Sequence, residues 1–254
     1  MTNKKVIQTN RIYHYCRLST AIEHILDKKR LLLAPLTNTN DPRENKSFVF
    51  AATYFPDDNP GDLLKSSEKI SNYLRQDCKL LCFSLDSYYL SGFEYSRMWA
   101  NYGDRHKGIC LELGKNEFIE ENKDYIDAKH FKKVKYKAYN PYTYNDKKTV
   151  DYTSLNKLGE EKYLKSKFRK KYLDYLYFTK TKEWESEKEL RLVSFSDKKE
   201  NEYVDIKNSL KKIYLGVDFN EKYLPAIKAL TKELEISRLI YYEGRMSPRT
   251  IKNM

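Results

Sequence analysis

Apolar and polar positions alternate in several short runs along the chain, and longer stretches between them repeat apolar residues every three to four positions. Residues 11–16 (RIYHYC) alternate and are rich in aromatics, which predicts a short strand. Thr20-x-x-Glu23 has the form of a capping box, and Ile22, Ile25 and Leu26 share a face, so a helix is expected there, ending near Lys28-Lys29. Buried strands are expected at residues 31–34 (LLLA) and 79–85 (KLLCFSL), with a helix at 62–75 between them. A turn-rich loop (TNTNDP, residues 37–42) follows the first of these strands, and a polar loop (PDDNPGD, residues 56–62) follows Phe48-Val49-Phe50.

Further along, residues 95–102 read as a short helix and 107–113 (KGICLEL) as a strand. Residues 131–138 alternate, with Val134, Tyr136 and Ala138 opposite Lys133, Lys135 and Lys137. A polar, tyrosine-rich connection over 139–152 leads to a long basic helix at 155–177. There Leu164, Phe168, Leu173 and Leu176 trace an apolar stripe and Lys165, Arg169 and Lys170 face outward. Strands at 189–194, 203–206 and 213–217, a helix at 221–234, a strand at 239–242 and a basic tail at 244–254 complete the chain. These elements predict one α+β domain over residues 1–254, built of short mixed or antiparallel strands with interspersed helices. The motif-bearing part is expected at 11–217 and a C-terminal helix and strand at 218–243.

Composition narrows the class. With 254 residues, 40% of them apolar, the chain is long enough to bury a core. It holds no apolar run of membrane-spanning length, so no membrane partner is expected. The N-terminus has no apolar signal region, and Cys16, Cys78, Cys82 and Cys110 show no disulfide-framework spacing, which together predict a cytoplasmic protein with reduced thiols. No second Cys/His pair follows Cys78 and Cys82, so no metal site is expected. The net charge of +12 favours an acidic partner such as DNA, RNA or a nucleotide, and equally fits a solvated lysine-rich surface. Eight glycines and no Gly-rich phosphate loop argue against dehydrogenase and P-loop folds.

Four constellations carry candidate chemistry. In WESEKELR (residues 184–191), strand alternation would put Glu187, Glu189 and Arg191 on one face, continuing into Val193 and Phe195. Two carboxylates so close need a cation or a ligand between them; the segment is either a salt-bridged strand end, with Trp184 packing beside it, or the wall of an active site. Phe83-Ser84 ends a strand, and Trp99 and Tyr102 on the following helix would offer aromatic faces to a flat heteroaromatic ligand, or form a buried aromatic helix. Tyr13-His14-Tyr15 with Arg17 stands at a strand end before a helix, where a diphosphate could be held, or is a packed strand with a surface arginine. Asn40-Asp41-Pro42 with Glu44 either shapes a turn or adds to a site.

Taken in order, Tyr-x-Tyr, Asn-Asp-Pro-x-Glu, Cys-Phe-Ser, Met-Trp-x-x-Tyr-Gly with a following Lys-Gly, and Lys-x-x-x-Trp-x-x-Glu-x-Glu-x-Arg (Lys180, Trp184, Glu187, Glu189, Arg191) resemble a widespread bacterial family of unknown function. More distantly, the start of the chain, the Ser84 strand and Glu187-x-Glu189 are similar to ADP-ribosyltransferases, including bacterial toxins that modify nucleic acid. The chain departs from that pattern in lacking Ser-Thr-Ser and in carrying Arg191 after the glutamate pair.

That resemblance implies an ADP-ribosyltransferase-like fold with NAD as substrate, its diphosphate near Arg17 and its nicotinamide between aromatic rings. Glu189 would act on the ribose and Glu187 on an acceptor. Tyr13, His14, Tyr15, Asn40, Asp41, Phe83, Ser84, Trp99, Tyr102, Lys180 and Trp184 would line the site. It also implies a toxin or phage-defence effector with a DNA, RNA or protein acceptor and a neutralising antitoxin or defence-system partner. The alternatives from the residues themselves are a nucleic-acid-binding module without NAD chemistry, or a nuclease.

Overall fold

The computed structural model describes residues 9–46, 48, 50–52, 60–126, 130–138, 148–196, 200–232 and 234–251. Residues 56–59 of the expected polar loop and 139–147 of the tyrosine-rich connection lie outside these. The strands are β1 (Arg11–Cys16), β2 (Arg30–Pro35), β3 (Phe50–Ala52), β4 (Cys78–Ser84), β5 (Ile109–Gly114), β6 (Phe131–Lys133), β7 (Lys135–Lys137), β8 (Lys148–Val150), β9 (Thr179–Thr181), β10 (Glu189–Phe195), β11 (Glu202–Asp205), β12 (Leu210–Leu215), β13 (Glu235–Tyr242) and β14 (Arg245–Thr250). Ten of them form one mixed sheet in the order β11-β2-β4-β1-β5-β12-β13-β14, with β10 beside β4 and β6 beside β10. Small parallel pairs join β3 to β8 and β7 to β9.

The α+β class and most strands therefore follow the alternation in the sequence. On one face of the sheet, Ile12, Leu31, Leu33, Leu81, Phe83, Leu111, Leu113, Leu190, Leu192 and Ile213 form the main core, packed with Ala21, Ile25 and Leu26, with Phe118 and with Ile227 from three helical segments. The opposite face carries two separate clusters. One gathers Ile70, Leu74, Leu80, Leu164, Phe168, Tyr177 and Val193; the other gathers Tyr13, Tyr15, Phe93, Trp99, Tyr214 and Met246.

Four expectations change. No capping box forms at Thr20, because the helical turn already starts at Leu18 and no side chain caps it. The long basic helix is interrupted at Gly159, whose φ of 79° lies outside helical space, giving Tyr152–Leu158 and a second helical run from Glu160 to Tyr177. Residues 163–168 of that run are wound with the wider i→i+5 pattern. The extra residue per turn shifts the register, so Arg169 points inward to an ion pair with Asp77 (2.5 Å) and not to solvent. Finally, the basic tail is largely a strand: Glu243 and Gly244, both with left-handed φ (49° and 78°), form a two-residue hairpin turn that returns β14 onto β13. No helix among the described residues is long and apolar enough to cross a membrane.

Candidate functional site

The sheet forks at β4. Along its full length one edge of β4 pairs with β10, from Ser84↔Glu189 to Cys78↔Phe195. Its other edge is shared: β1 pairs only at Tyr13↔Ser84, and β2 only at Ala34↔Leu80 and Pro35↔Lys79. Between them β4 is left without a strand partner over Leu81, Cys82 and Phe83, and His14 Nδ1 lies 3.1 Å from the Cys82 carbonyl oxygen. A cleft of about 200 Å³ opens in this gap, walled by β1, β2, β4 and β10 and by Asn38, Thr39, Asn40, Met98, Tyr102, Lys180 and Glu187. It separates the two clusters on this face of the sheet.

Four buried charged side chains, Lys180, Glu187, Glu189 and Arg191, form its base, with a fifth, Glu44, buried behind Arg191. Lys180 Nζ lies 2.8 Å from both Glu187 Oε2 and Glu189 Oε2. Arg191 donates Nε to Glu189 Oε1 at 2.6 Å, and its other nitrogens reach Glu44 Oε1 (2.6 Å), Glu44 Oε2 (3.3 Å) and the Tyr177 carbonyl (2.8 Å). Tyr102 donates its hydroxyl to Glu187 Oε1 (2.8 Å), and the Tyr136 hydroxyl accepts from the Glu189 backbone N–H (2.9 Å). Three carboxylates thus face two cations, so one carboxylate is in excess.

Burial by itself would push the Glu189 carboxyl up, but the charges of Arg191 and Lys180 outweigh it and hold the group well below the usual carboxylate range. Burial would lower Lys180, and the Glu189 charge reverses that, so the ammonium persists. Tyr102 is raised by burial and then by the neighbouring Glu187, and is a neutral phenol. Burial lowers His14, so its ring is neutral; Nδ1 donates to Cys82 and Nε2 keeps its lone pair. The Cys82 thiol is raised by burial and by Glu189, which makes it a poor nucleophile.

Local structure explains how these side chains converge. Glu189, Arg191, Val193 and Phe195 alternate along β10, as the sequence predicts. Glu187 arrives differently: it ends a 3₁₀ turn (Lys182–Glu187), and Lys188, in left-handed conformation with φ 47°, swings the chain into the strand. Ser84 of β4 is directly opposite Glu189 of β10 and opposite Tyr13 of β1, so these three side chains form a lateral row on the cleft face. The Ser84 hydroxyl is buried and has no hydrogen-bond partner among the described residues. Gly92 lets the preceding loop close on this row, because a Cβ there would overlap the Tyr13 ring.

Of the residues singled out from sequence, Tyr13, His14, Tyr15, Asn40, Phe83, Ser84, Tyr102, Lys180, Glu187, Glu189 and Arg191 line the cleft. Four do not. Arg17 is exposed beyond the end of β1. Asp41 is buried and caps the Pro42–Asn45 turn by accepting from Arg43 N–H (2.9 Å). Trp99 is fully buried with its Nε1 donating to the Phe93 carbonyl (2.7 Å), so its ring packs in the core and offers no face to a ligand. Trp184 stands half-buried over Lys180, whose Nζ is 5.1 Å from its ring centre. Asn38 and Thr39 of the lining, and Tyr136 against Glu189, carry no signal of a site in the sequence, where Glu44 stands out only as part of the Asn-Asp-Pro-x-Glu motif. Tyr136 was visible as the inward residue of an alternating segment, but nothing in that pattern says what it touches.

The helix Ser96–Asn101, which carries Met98, is followed by Tyr102 and then by a left-handed turn at Asp104, Arg105 and His106 (φ 51°, 52° and 69°). Backbone bonds hold the turn, from His106 N–H to the Trp99 carbonyl (3.3 Å) and from Asp218 N–H to the His106 carbonyl (3.0 Å). Left-handed conformation disfavours a side chain with a Cβ, and Arg105 is exposed with no hydrogen bond or ion pair to the described residues. Arg105→Gly is therefore expected to stabilise the fold by about 0.5–1 kcal/mol, seen as a thermal midpoint about 1–4 °C higher.

In this site a divalent cation bridging Glu187 and Glu189 would have to displace the Lys180 ammonium, which already bridges them. The cleft offers instead a hydroxyl, neutral phenols and an ionised carboxylate to an organic ligand.

Residues 98–192 match the model of a family described as a protein of unknown function (DUF2971), a stretch covering less than half of the 254-residue chain. The match takes in Met98, Trp99 and Tyr102 at one end and Lys180, Trp184, Glu187, Glu189 and Arg191 at the other, and bears out the resemblance to a domain family of unknown function. No curated protein and no solved structure matches the chain.

Proposed function

We propose that the cleft binds NAD, breaks its nicotinamide–ribose bond and transfers ADP-ribose to a macromolecule. The observation that carries this reading is the row Tyr13–Ser84–Glu189 on the cleft face, in which an unpartnered buried hydroxyl adjoins a carboxylate held ionised. The similarity of the Ser84 strand and of Glu187-x-Glu189 to ADP-ribosyltransferases points the same way. Roles as a toxin or phage-defence effector, with an antitoxin or defence-system partner, go with that similarity.

The chemistry follows from the groups present. A carboxamide ring beside Ser84 would satisfy the free hydroxyl, with the phenol of Tyr13 or Tyr102 against the ring face. As the bond to nicotinamide breaks, its electron pair leaves with the ring and positive charge develops on the ribose. The excess carboxylate of the cluster opposes that charge in a site largely shielded from water. Each Glu189 oxygen makes one contact with a cation and keeps lone-pair capacity for a ribose hydroxyl. Glu187, bonded to Tyr102, is the group that would orient the acceptor or remove its proton.

Purified protein is expected to release nicotinamide from NAD, faster when DNA, RNA or cell extract supplies an acceptor. Chromatographic assay of nicotinamide with each addition tests this, and no release under any of them removes the reading.

A further inference from the structure

A second feature adjoins the cleft on its outer side. Residues Phe131–Lys133 and Lys135–Lys137 form one extended run: β6 pairs with β10, β7 pairs with β9, and Val134 N–H donates to the Glu189 carbonyl (2.9 Å). Val134 is buried and Tyr136 reaches Glu189, so alternation turns Lys133, Lys135 and Lys137 outward, where all three are exposed. Successive lysines on such a run stand about 6.6 Å apart, comparable to successive phosphates along an extended nucleic-acid strand.

Lysines outnumber carboxylates along this run, and exposed Glu183 and Glu185 stand on the 3₁₀ turn packed against β7. Asp174 is the carboxylate that pairs here, with Lys132 and with Lys135 (3.0 Å). Lys133 and Lys137 have no carboxylate partner among the described residues, and exposed Lys170 and Lys171 precede Asp174 on its helix. Among the described residues, β6 has only β10 and β7 only β9 as neighbours, so each half of the run leaves one edge unpaired. Lysines on an edge also serve to prevent edge-to-edge pairing between molecules, a role that any charge fills. Phosphate binding requires positive charge, and the two roles separate on that point.

We propose that the row Lys133–Lys135–Lys137 binds a single strand of nucleic acid, one phosphate to each lysine. This inference does not depend on the NAD reading. Through Tyr136, on the same run, the bound strand would lie against the segment that holds Glu189.

The test uses the full chain and a fluorescent oligothymidine and oligouridine of about 20 nucleotides, long enough for a strand-tracking site. Binding is followed by anisotropy, without NAD, between low and moderate salt. The wild type is expected to bind, with log K falling against log salt at a slope of about −2, from three contacts at about −0.7 each. Reversal of all three lysines to glutamate should weaken binding at least about tenfold and flatten the slope, whereas the three Lys→Arg changes should preserve both. Circular dichroism on each variant confirms the fold. Equal affinity of the glutamate variant, or no binding by wild type at low salt, would overturn the proposal; tighter binding of a duplex than of the single strand would overturn its single-strand part. Basal nicotinamide release should be unchanged in the glutamate variant. A wild type that binds oligonucleotide but releases no nicotinamide would refute the NAD reading and leave this one standing.

Discussion

Arg191→Met should destabilise the protein by about 3–5 kcal/mol, enough to unfold much of the population if the native state has ordinary stability. Arg191 is fully buried, and its guanidinium is shared among Glu189, Glu44 and the Tyr177 carbonyl. Methionine fills a similar volume but supplies no donor, so Glu44 loses its cation and Glu189 keeps only Lys180. The pH dependence separates this cause from a packing defect. In the wild type the Glu189 carboxyl lies below its ordinary value, so its contribution is present above the usual carboxylate range and is lost as pH falls through the depressed folded-state value. In the variant Glu44 has no counter-charge and Glu189 only Lys180, so the buried cluster is short of positive charge and folding favours its protonated form. The stability gap between the two proteins should therefore widen as pH rises from about 4 to 7 across that range. Urea unfolding at both ends of the window measures it. A constant gap would assign the loss to packing and not to stranded charge.

The same cluster shows what the sequence could and could not reveal. Alternation within β10 placed Glu189, Arg191, Val193 and Phe195 on one face, because strand periodicity is a local property of the backbone. Glu187 shares the site for a different reason, the left-handed Lys188 that precedes the strand, and a non-glycine in that conformation has no local signature. The partnership of Arg191 with Glu44 spans 147 residues and comes from the packing of the Pro42–Asn45 turn, not from any spacing. Arg169 and Trp99 illustrate the opposite case: one looked outward on a regular helix, and the other fitted either a ligand-facing or a buried aromatic helix. A change in helical winding and a core hydrogen bond settle both. The fork in the sheet was equally hidden, since each strand was legible but the sharing of one β4 edge by β1 and β2 is a tertiary choice.

Glu189→Gln should lower nicotinamide release by about a hundredfold or more while the protein stays folded, if Glu189 opposes charge developing on the ribose. Glutamine preserves the size of the side chain and one carbonyl oxygen that can accept from Arg191, but it removes the charge. Some stability should be lost as well, since Arg191 and Lys180 then share fewer carboxylates. A fall in activity alone would therefore be ambiguous, and Ser84→Ala resolves it. The Ser84 hydroxyl has no hydrogen-bond partner among the described residues, so its removal strands none of them and stability should change by less than about 0.5 kcal/mol. If that hydroxyl holds the nicotinamide end of NAD, kcat/KM should still fall about tenfold, the cost of one hydrogen bond to the ligand. The combination of a catalytic loss in Ser84→Ala without a stability loss, and a larger loss in Glu189→Gln, fits chemistry at this row and not a structural salt bridge. Full activity in a folded Glu189→Gln protein would move the catalytic role away from this carboxylate, and an unaffected Ser84→Ala would leave the free hydroxyl without a ligand to explain it.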